Sequence, residues 1–241
     1  QALEIAKGIK DPNNELWPKL LVVLRDEDWW VRERVIDVLI EMAGLNLTRH
    51  VVGMMGDPSD LVRRFAVGVL GRLKDPNALG ALVRAFQGDE DWWVRERAVE
   101  AVAAIGDMRA VPYLEELIAK NADLRLSAIE GLVALGAKAT APRIAECLKL
   151  PEVEIRLTAV RARQKFGDPA LAPAVQSVLN DAESNVRTLA REILTHWNIA
   201  LPGETGKFQE VGSMLDRLLV GMAKIEGDDL ILLSGRTPMV K

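Results

Sequence analysis

The sequence predicts an all-α solenoid of about six helical hairpins. Apolar residues make up 49% of its 241 residues, and most of them are aliphatic, which suits a helical core. Six arginines, each preceded by an aliphatic residue, recur at separations of 31, 32, 30, 31 and 31 residues: Arg32, Arg63, Arg95, Arg125, Arg156 and Arg187. A fixed period of this length indicates stacked repeats, each burying its apolar face against its neighbours.

Each repeat contains two predicted helices joined by a short polar turn. The first helix is visible at 17–24, 81–86, 111–118 and 171–179. Prolines lie in its first turn, where a missing N–H costs nothing, at Pro18, Pro112, Pro142 and Pro173. The second helix begins just before the arginine. Glycine or Asp-Pro closes the repeat, as at Asp75-Pro76, Gly106, Gly136 and Gly167.

The second helix repeats one buried face. Three residues after each arginine comes a small or β-branched residue: Val35, Ala66, Ala98, Ala128, Ala159 or Ala190. Seven residues after it comes Leu39, Leu70, Val102, Leu132, Arg163 or Leu194. Because Arg163 interrupts an aliphatic row, we expect the fifth repeat to pack less well there.

Four repeats also place an aspartate six residues before the arginine, at Asp26, Asp57, Asp89 and Asp181. Over residues 1–199 the whole pattern resembles HEAT repeats, in particular the short subtype shared with phycobilisome lyases. The resemblance implies a right-handed α-solenoid whose aspartates and arginines form a hydrogen-bonded ladder along the inter-helix turns. It therefore implies a structural role for Asp26, Arg32, Asp57, Arg63, Asp89, Arg95, Arg125, Arg156, Asp181 and Arg187.

The end of the chain does not follow the repeat. Residues 200–213 are predicted to be a linker, followed by a helix over 214–225 and a strand-like run over 229–233. Residues 229–241 have the form D-L-x-L-x-x-G-x-x-P-M-[IV]-[RK], with unusual residues at Ile231 and Thr237. This motif resembles the start of PilT-like type IV pilus retraction ATPases. The resemblance implies that 214–241 is the truncated start of a PAS-like domain, and that a hexameric ATPase core follows in a longer parent protein.

Charge and cysteine content limit the classes of function. The net charge of −4 gives no bulk attraction to nucleic acid or anionic membranes. A single cysteine, Cys147, is typical of a reducing compartment, and no apolar run approaches the length of a membrane span. We therefore expect a cytoplasmic protein with no nucleic-acid partner and no direct membrane insertion, and a monomer for this fragment.

No group of residues predicts catalysis. The string GETGK at 203–207 is not a phosphate loop, because its glycines are too close and Phe208 follows the lysine. Cys147 has no histidine nearby in sequence to activate it, and the two histidines lie far apart. The sequence predicts no catalytic residue, no cofactor and no metal, and therefore a chain that is not an enzyme.

Paired tryptophans provide the candidate binding surface. Trp29-Trp30 and Trp92-Trp93 occupy matching positions, and Leu61 takes the second slot in the repeat between them. Helical phase predicts that the first tryptophan of each pair packs beside the core and that the second points outward. We expect Trp30, Leu61 and Trp93 to form an apolar row that binds a protein segment, with Asp37 and Glu100 on the same exposed face. The alternative is that each ring folds back over its own turn.

These observations favour a non-catalytic protein–protein interaction scaffold or adaptor. The resemblance of residues 229–241 implies that the chain is the N-terminal regulatory region of a twitching-motility ATPase-like protein, with an unidentified partner in the pilus machinery. The alternative is a phycobilin lyase-like HEAT protein that handles a chromophore, as the repeat subtype suggests.

Overall fold

The computed structural model describes residues 22–23, 26, 28–201, 230–231 and 239–240. Within them the helices are α1 (Trp29–Ala43), α2 (Thr48–Met54), α3 (Asp60–Leu73), α4 (Leu79–Gly88), α5 (Trp92–Ile105), α6 (Val111–Lys120), α7 (Arg125–Ala134), α8 (Ala141–Glu146), α9 (Val153–Phe166), α10 (Ala172–Gln176) and α11 (Ser184–His196). Two short strands, β1 (Leu230–Ile231) and β2 (Met239–Val240), pair antiparallel.

The contacts divide the chain into two compact units, Gln1–Ala190 and Arg191–Lys241. In the first unit each helical hairpin packs its two helices together, as α4 does with α5 and α6 with α7. The second helices of successive hairpins also stack, α3 on α5, α5 on α7 and α7 on α9. The prediction of an all-α solenoid is confirmed.

Capping residues set the bounds of the helices. Asp28 and Asp91 accept hydrogen bonds from the backbone N–H groups two residues later, at 2.9 and 2.8 Å, and so begin α1 and α5. Gly106 and Gly167 end α5 and α9 with positive φ angles of 79° and 64°, a conformation that glycine adopts without strain.

The predicted first helices differ in how closely the structure follows them. The prediction for 171–179 is too long, because α10 covers Ala172–Gln176 and the hydroxyl of Ser177 donates to the Ala174 carbonyl at 2.7 Å, which competes with helix continuation. Most of 17–24, and the predicted helix over 214–225, lie outside the described residues.

The buried face of the second helices is closely packed. Ala66, Ala98, Ala128 and Ala159 are all completely buried. A Cβ atom placed on Gly71 would lie only 3.1 Å from the Cβ of Ala101, so α3 and α5 approach closely where both residues are small. The aliphatic residues seven positions after the repeated arginine are also buried, as expected: Leu39, Leu70, Val102 and Leu132.

Arg163 occupies that aliphatic row in α9 and is 1% exposed. Its Nη2 donates to the Ala141 carbonyl at 2.9 Å, whereas its Nε has no hydrogen-bond partner in the part of the chain that the structure describes. Among the described residues no carboxylate forms an ion pair with it. The fifth repeat therefore buries a charge where its neighbours bury a leucine or valine.

Within the described residues, no helix combines the length and the apolar character that crossing a bilayer requires.

Candidate functional site

The repeated arginines hold the turns at the start of the second helices. The Nη1 of each of four arginines donates to the backbone carbonyl six residues earlier, at 2.6 to 2.9 Å, in Arg63, Arg95, Arg156 and Arg187. Arg32 makes the same contact with the Asp26 carbonyl. Arg125 differs, because its Nε donates to the Ile118 carbonyl at 2.9 Å. These contacts satisfy carbonyls that the preceding helix leaves unpaired.

Arg63 and Arg156 also bridge to the next repeat. Arg63 binds both carboxylate oxygens of Asp89 at 2.9 and 3.0 Å, and Arg156 binds those of Asp181 at 2.8 and 2.9 Å. The hydrogen bond from Arg156 lowers the pKa of Asp181, against the opposing effect of burial. Asp57, Asp89 and Asp181 each also accept a backbone N–H two residues later, at 2.9 Å. These pairs therefore use their polar atoms to hold the turns of successive repeats together.

A groove of about 440 Å³ runs across α1, α3 and α5 on the solenoid surface formed by the second helices. The lining residues come from all three helices: Glu33, Ile36, Leu61, Arg64, Phe65, Gly68, Arg72, Trp93 and Arg97. Gly68 leaves part of the floor open, because no atom lies within 4 Å of the position its Cβ would take. The volume falls within the range of ordinary small-molecule sites, about 300–1,000 Å³.

Two aromatic rings in the groove carry arginines on their faces. The guanidinium of Arg97 lies 4.7 Å from the centre of the Trp93 ring, and that of Arg32 lies 4.6 Å from the centre of the Phe65 ring. Such cation–π contacts hold the ring and the guanidinium in a defined relative orientation. The groove therefore combines apolar and aromatic surface with planar cations.

The acidic groups around the groove hold its arginines. Arg64 donates from Nε to Asp91 at 2.7 Å and also pairs with Asp60 at 3.1 Å. Burial alone would raise the pKa of Asp91, but the hydrogen bonds from Arg64 and from the Trp93 backbone outweigh it and lower that pKa. The aspartate that caps α5 thus also positions Arg64.

The carboxylates that pair with the other two arginines of the groove, Arg72 and Arg97, are more exposed than Asp91. Arg72 contacts Asp37 and lies 3.6 Å from Glu33, and Arg97 donates to Glu100 at 3.0 Å.

The structure brings together only part of the predicted binding row. Leu61 and Trp93 line the groove, and Asp37 and Glu100 lie at its rim through their arginine partners. Trp30 is 60% exposed and is not among the residues that line the groove.

The prediction that Trp92 packs beside the core is wrong, because its side chain is 56% exposed. Trp93, which was predicted to point outward, is 37% exposed. Trp92 is the first residue of α5, so no preceding helical turn lies beneath its side chain.

Sequence reasoning missed Arg64, Phe65, Arg72 and Arg97 as groove residues. The sequence contained a pattern that could have found two of them, because Phe65 and Arg97 each lie two residues after the repeated arginine. The predicted row followed a different position of each repeat.

Cys147 is 2% exposed in the 3-10 turn that follows α8. Burial raises the pKa of its thiol, which keeps it protonated. Among the described residues no cluster of three or more His, Cys, Asp or Glu side chains could hold a metal ion.

Comparison with known sequences gives two kinds of match. Residues 48–125 and 119–195 match a family described as HEAT repeats. The bilin biosynthesis protein PecE from Nostoc sp. (strain PCC 7120) is 40% identical over 89 residues, which cover 36% of this chain and 35% of PecE. The chain thus spans about a third of the length of this curated relative.

Solved structures share the fold at lower identity. YibA from Escherichia coli superposes with a TM-score of 0.56 and 21% identity, covering 80% of this chain and 72% of YibA. The complex of CpcE and CpcF of phycocyanin lyase from Nostoc sp. PCC7120 gives a TM-score of 0.52 and 21% identity, covering 77% of this chain and 80% of the matched one.

The predicted scaffold function in a pilus ATPase is wrong, and so is the prediction that the chain has no enzymatic role. The similarity to PecE points to bilin biosynthesis and favours the alternative that the repeat subtype suggested. The motif at 229–241 was a weaker guide, because it is short and departs from the usual pattern at Ile231 and Thr237. The repeats fill most of the sequence, and two matched segments together extend from 48 to 195. The chain belongs to the HEAT-repeat family.

Proposed function

We propose that this chain is a phycobilin lyase-like HEAT protein that binds a linear tetrapyrrole in the groove across α1, α3 and α5. The observation that carries the proposal is the 40% identity to PecE, a bilin biosynthesis protein. The structural similarity to the phycocyanin lyase complex adds only that the two share a fold. We place the ligand in this groove because its lining combines aliphatic and aromatic side chains with arginines.

The chemistry of a bilin suits this groove. A bilin is a chain of four conjugated pyrrole-type rings that carries two propionate groups, so it needs apolar surface along the rings and cations near the carboxylates. Ile36, Leu61, Phe65 and Trp93 supply the apolar surface. The arginines of the groove supply the cations, and arginine binds carboxylates through paired hydrogen bonds.

The chain holds its ligand without a covalent bond. Its single cysteine, Cys147, is buried and its thiol stays protonated, so it is not an attachment point. A lyase reaction that joins a bilin to a protein thiol therefore takes that thiol from an acceptor protein. In this proposal the chain contributes binding and orientation of the chromophore, which raises the effective concentration of the reacting groups.

Titration of the chain with biliverdin, a linear tetrapyrrole, tests the proposal. We expect saturable 1:1 binding, with an induced circular dichroism signal in the visible bands as the chiral groove fixes one twist of the tetrapyrrole. Trp93→Ala should weaken binding, because Trp93 lines the groove. Trp92→Ala is the matched control, since Trp92 is its neighbour in the chain but does not line the groove. Absence of an induced signal, or equal loss in both variants, would contradict the proposed site.

A further inference from the structure

We propose that Arg97 forms a carboxylate subsite at the α5 end of the groove and binds a propionate of the tetrapyrrole. This inference rests on the proposed function and specifies which end of the groove binds the carboxylates of the ligand. It follows from differences in how far the three arginines of the groove are already engaged by the protein.

Arg64 has little capacity left for a ligand. Its Nε and Nη2 both approach Asp91, at 2.7 and 2.6 Å, and Nη2 also pairs with Asp60 at 3.1 Å. Asp91 is held in turn by the backbone of α5, where it caps the helix. A ligand carboxylate at Arg64 would therefore stand close to two fixed carboxylates, and like charges at that distance repel.

Arg72, which belongs to α3, is also engaged by carboxylates of the protein, on the side of the groove that faces α1. It contacts Asp37 and lies 3.6 Å from Glu33, and Glu33 itself lines the groove. On this side of the groove the carboxylates of Glu33 and Asp37 therefore offset the charge of Arg72, and Arg32 faces the Phe65 ring. This side disfavours a propionate and suits the N–H groups of the pyrrole-type rings, which donate hydrogen bonds to carboxylates.

Arg97 is the arginine with donors to spare. Among the described residues its ion-pair partner is Glu100, which Nη1 contacts at 3.0 Å and which is itself exposed. Such an exposed pair three residues apart on a helix contributes little energy and exchanges readily. The Nε and Nη2 donors of Arg97 make no other hydrogen bond to the described part of the chain, and together they match the two oxygens of a carboxylate.

The Trp93 ring fixes the guanidinium of Arg97 at the groove. The two groups lie 4.7 Å apart, so the arginine is held over the ring instead of extending into solvent. A propionate bound there would place the conjugated rings toward Leu61 and Phe65. The direction of the tetrapyrrole in the groove is thereby set by charge, with its propionates toward α5 and its ring nitrogens toward α1.

Comparison of biliverdin with its dimethyl ester tests this subsite in the intact chain. The ester keeps the conjugated rings and removes both carboxylate charges. We expect the native chain to bind the free acid about tenfold more tightly than the ester, which corresponds to about 1.4 kcal/mol. In Arg97→Met the affinity for the free acid should fall to that for the ester, and the affinity for the ester should stay within about twofold of its native value.

Arg143→Met is the matched control. Arg143 forms the same kind of exposed pair as Arg97, with Glu146 three residues later at 3.3 Å, but it lies on α8 away from the groove. This variant should keep the native preference for the free acid. Raised ionic strength should weaken binding of the acid to the native chain and to Arg143→Met, and should leave binding of the ester unchanged.

The outcomes separate the two proposals. Equal binding of acid and ester by the native chain would keep the bilin function and overturn the carboxylate subsite. Equal loss of both ligands in Arg97→Met would also overturn it, because the residue would then act through packing alone. Failure of the native chain to bind either ligand would overturn the proposed function, and the subsite with it.

Discussion

Replacement of Arg163 by methionine should stabilise the protein. The side chain is 1% exposed, one nitrogen has no hydrogen-bond partner, and its equivalents Leu70 and Leu132 are fully buried and apolar. Methionine is unbranched and fills irregular space, so Arg163→Met removes the charge and leaves less of a cavity than leucine would. The substitution thus returns the fifth repeat to the pattern of its neighbours.

The size of the effect follows from the contacts of Arg163. An unsatisfied buried donor costs about 1–3 kcal/mol, and a buried charge without a partner adds a desolvation cost. The hydrogen bond to the Ala141 carbonyl, at 2.9 Å, offsets part of that cost and is lost in the variant. We therefore expect a net gain of about 1–3 kcal/mol in the free energy of unfolding.

The gain should not depend on pH across the neutral range. Burial lowers the pKa of Arg163, so the cost of burying its charge is fully present at every pH below that depressed pKa. Relief would begin only as the pH rises through that depressed pKa, and an arginine in a protein keeps its proton across the neutral range. Stability measured between about pH 5 and pH 9 should therefore show the same difference between Arg163→Met and the native chain.

Thermal and urea unfolding measure this gain. For a chain of this size each kcal/mol shifts the midpoint temperature by about 2–4 °C. Arg161→Met on the same helix is the control, because Arg161 is exposed and its loss should change stability by less than about 0.5 kcal/mol. Destabilisation of Arg163→Met by more than about 1 kcal/mol would refute the reasoning, since the buried charge would then be compensated.

Three further predictions concern the turns and the buried thiol. Arg63→Met should destabilise the chain by about 1–3 kcal/mol more than Arg95→Met in urea unfolding, because Arg63 binds both carboxylate oxygens of Asp89 in the next repeat whereas no described carboxylate pairs with Arg95; equal losses would contradict this. The lowered pKa of Asp181 provides stability that is present above its unfolded-state pKa, about 3.9, and is lost as the pH falls through the folded value. Asp181→Asn should therefore flatten the fall of midpoint temperature as the pH drops below about 4, and an unchanged acid limb would count against it. Denaturing mass spectrometry after incubation with biliverdin should find no adduct on Cys147, and an adduct would show that the thiol is accessible.

The repeat could be predicted from sequence because local signals agree with one another. The arginine period, the prolines and the closing glycines each depend on the backbone of a single hairpin, so they can be read one repeat at a time. The same holds for Arg163, whose place in an aliphatic row already indicated a packing fault. The structure adds that its charge is buried there and not directed to solvent.

The groove could not be predicted in the same way, because its lining comes from three helices that contribute different positions. The lining uses several rows of the repeat. Leu61 and Trp93 lie two residues before the repeated arginine and Phe65 and Arg97 lie two residues after it, so a search along one row finds only part of the groove. Their proximity depends on how successive hairpins stack, which no single repeat encodes. The prediction for the orientation of Trp92 was wrong for a different reason, because helical phase alone does not show at which residue the first turn of a helix begins.

The central claim, that the groove across α1, α3 and α5 binds a linear tetrapyrrole, is tested most directly by filling the groove. Gly68 is exposed on its floor, and a Cβ added there meets no atom within 4 Å, so Gly68→Leu directs a side chain into the groove and favours the helix by up to about 1 kcal/mol. Gly53→Leu makes the same change at an equally open glycine of α2 outside the groove. We expect biliverdin affinity to fall at least about tenfold in Gly68→Leu and to stay at the native value in Gly53→Leu. Native affinity in Gly68→Leu would place the ligand elsewhere and contradict the account.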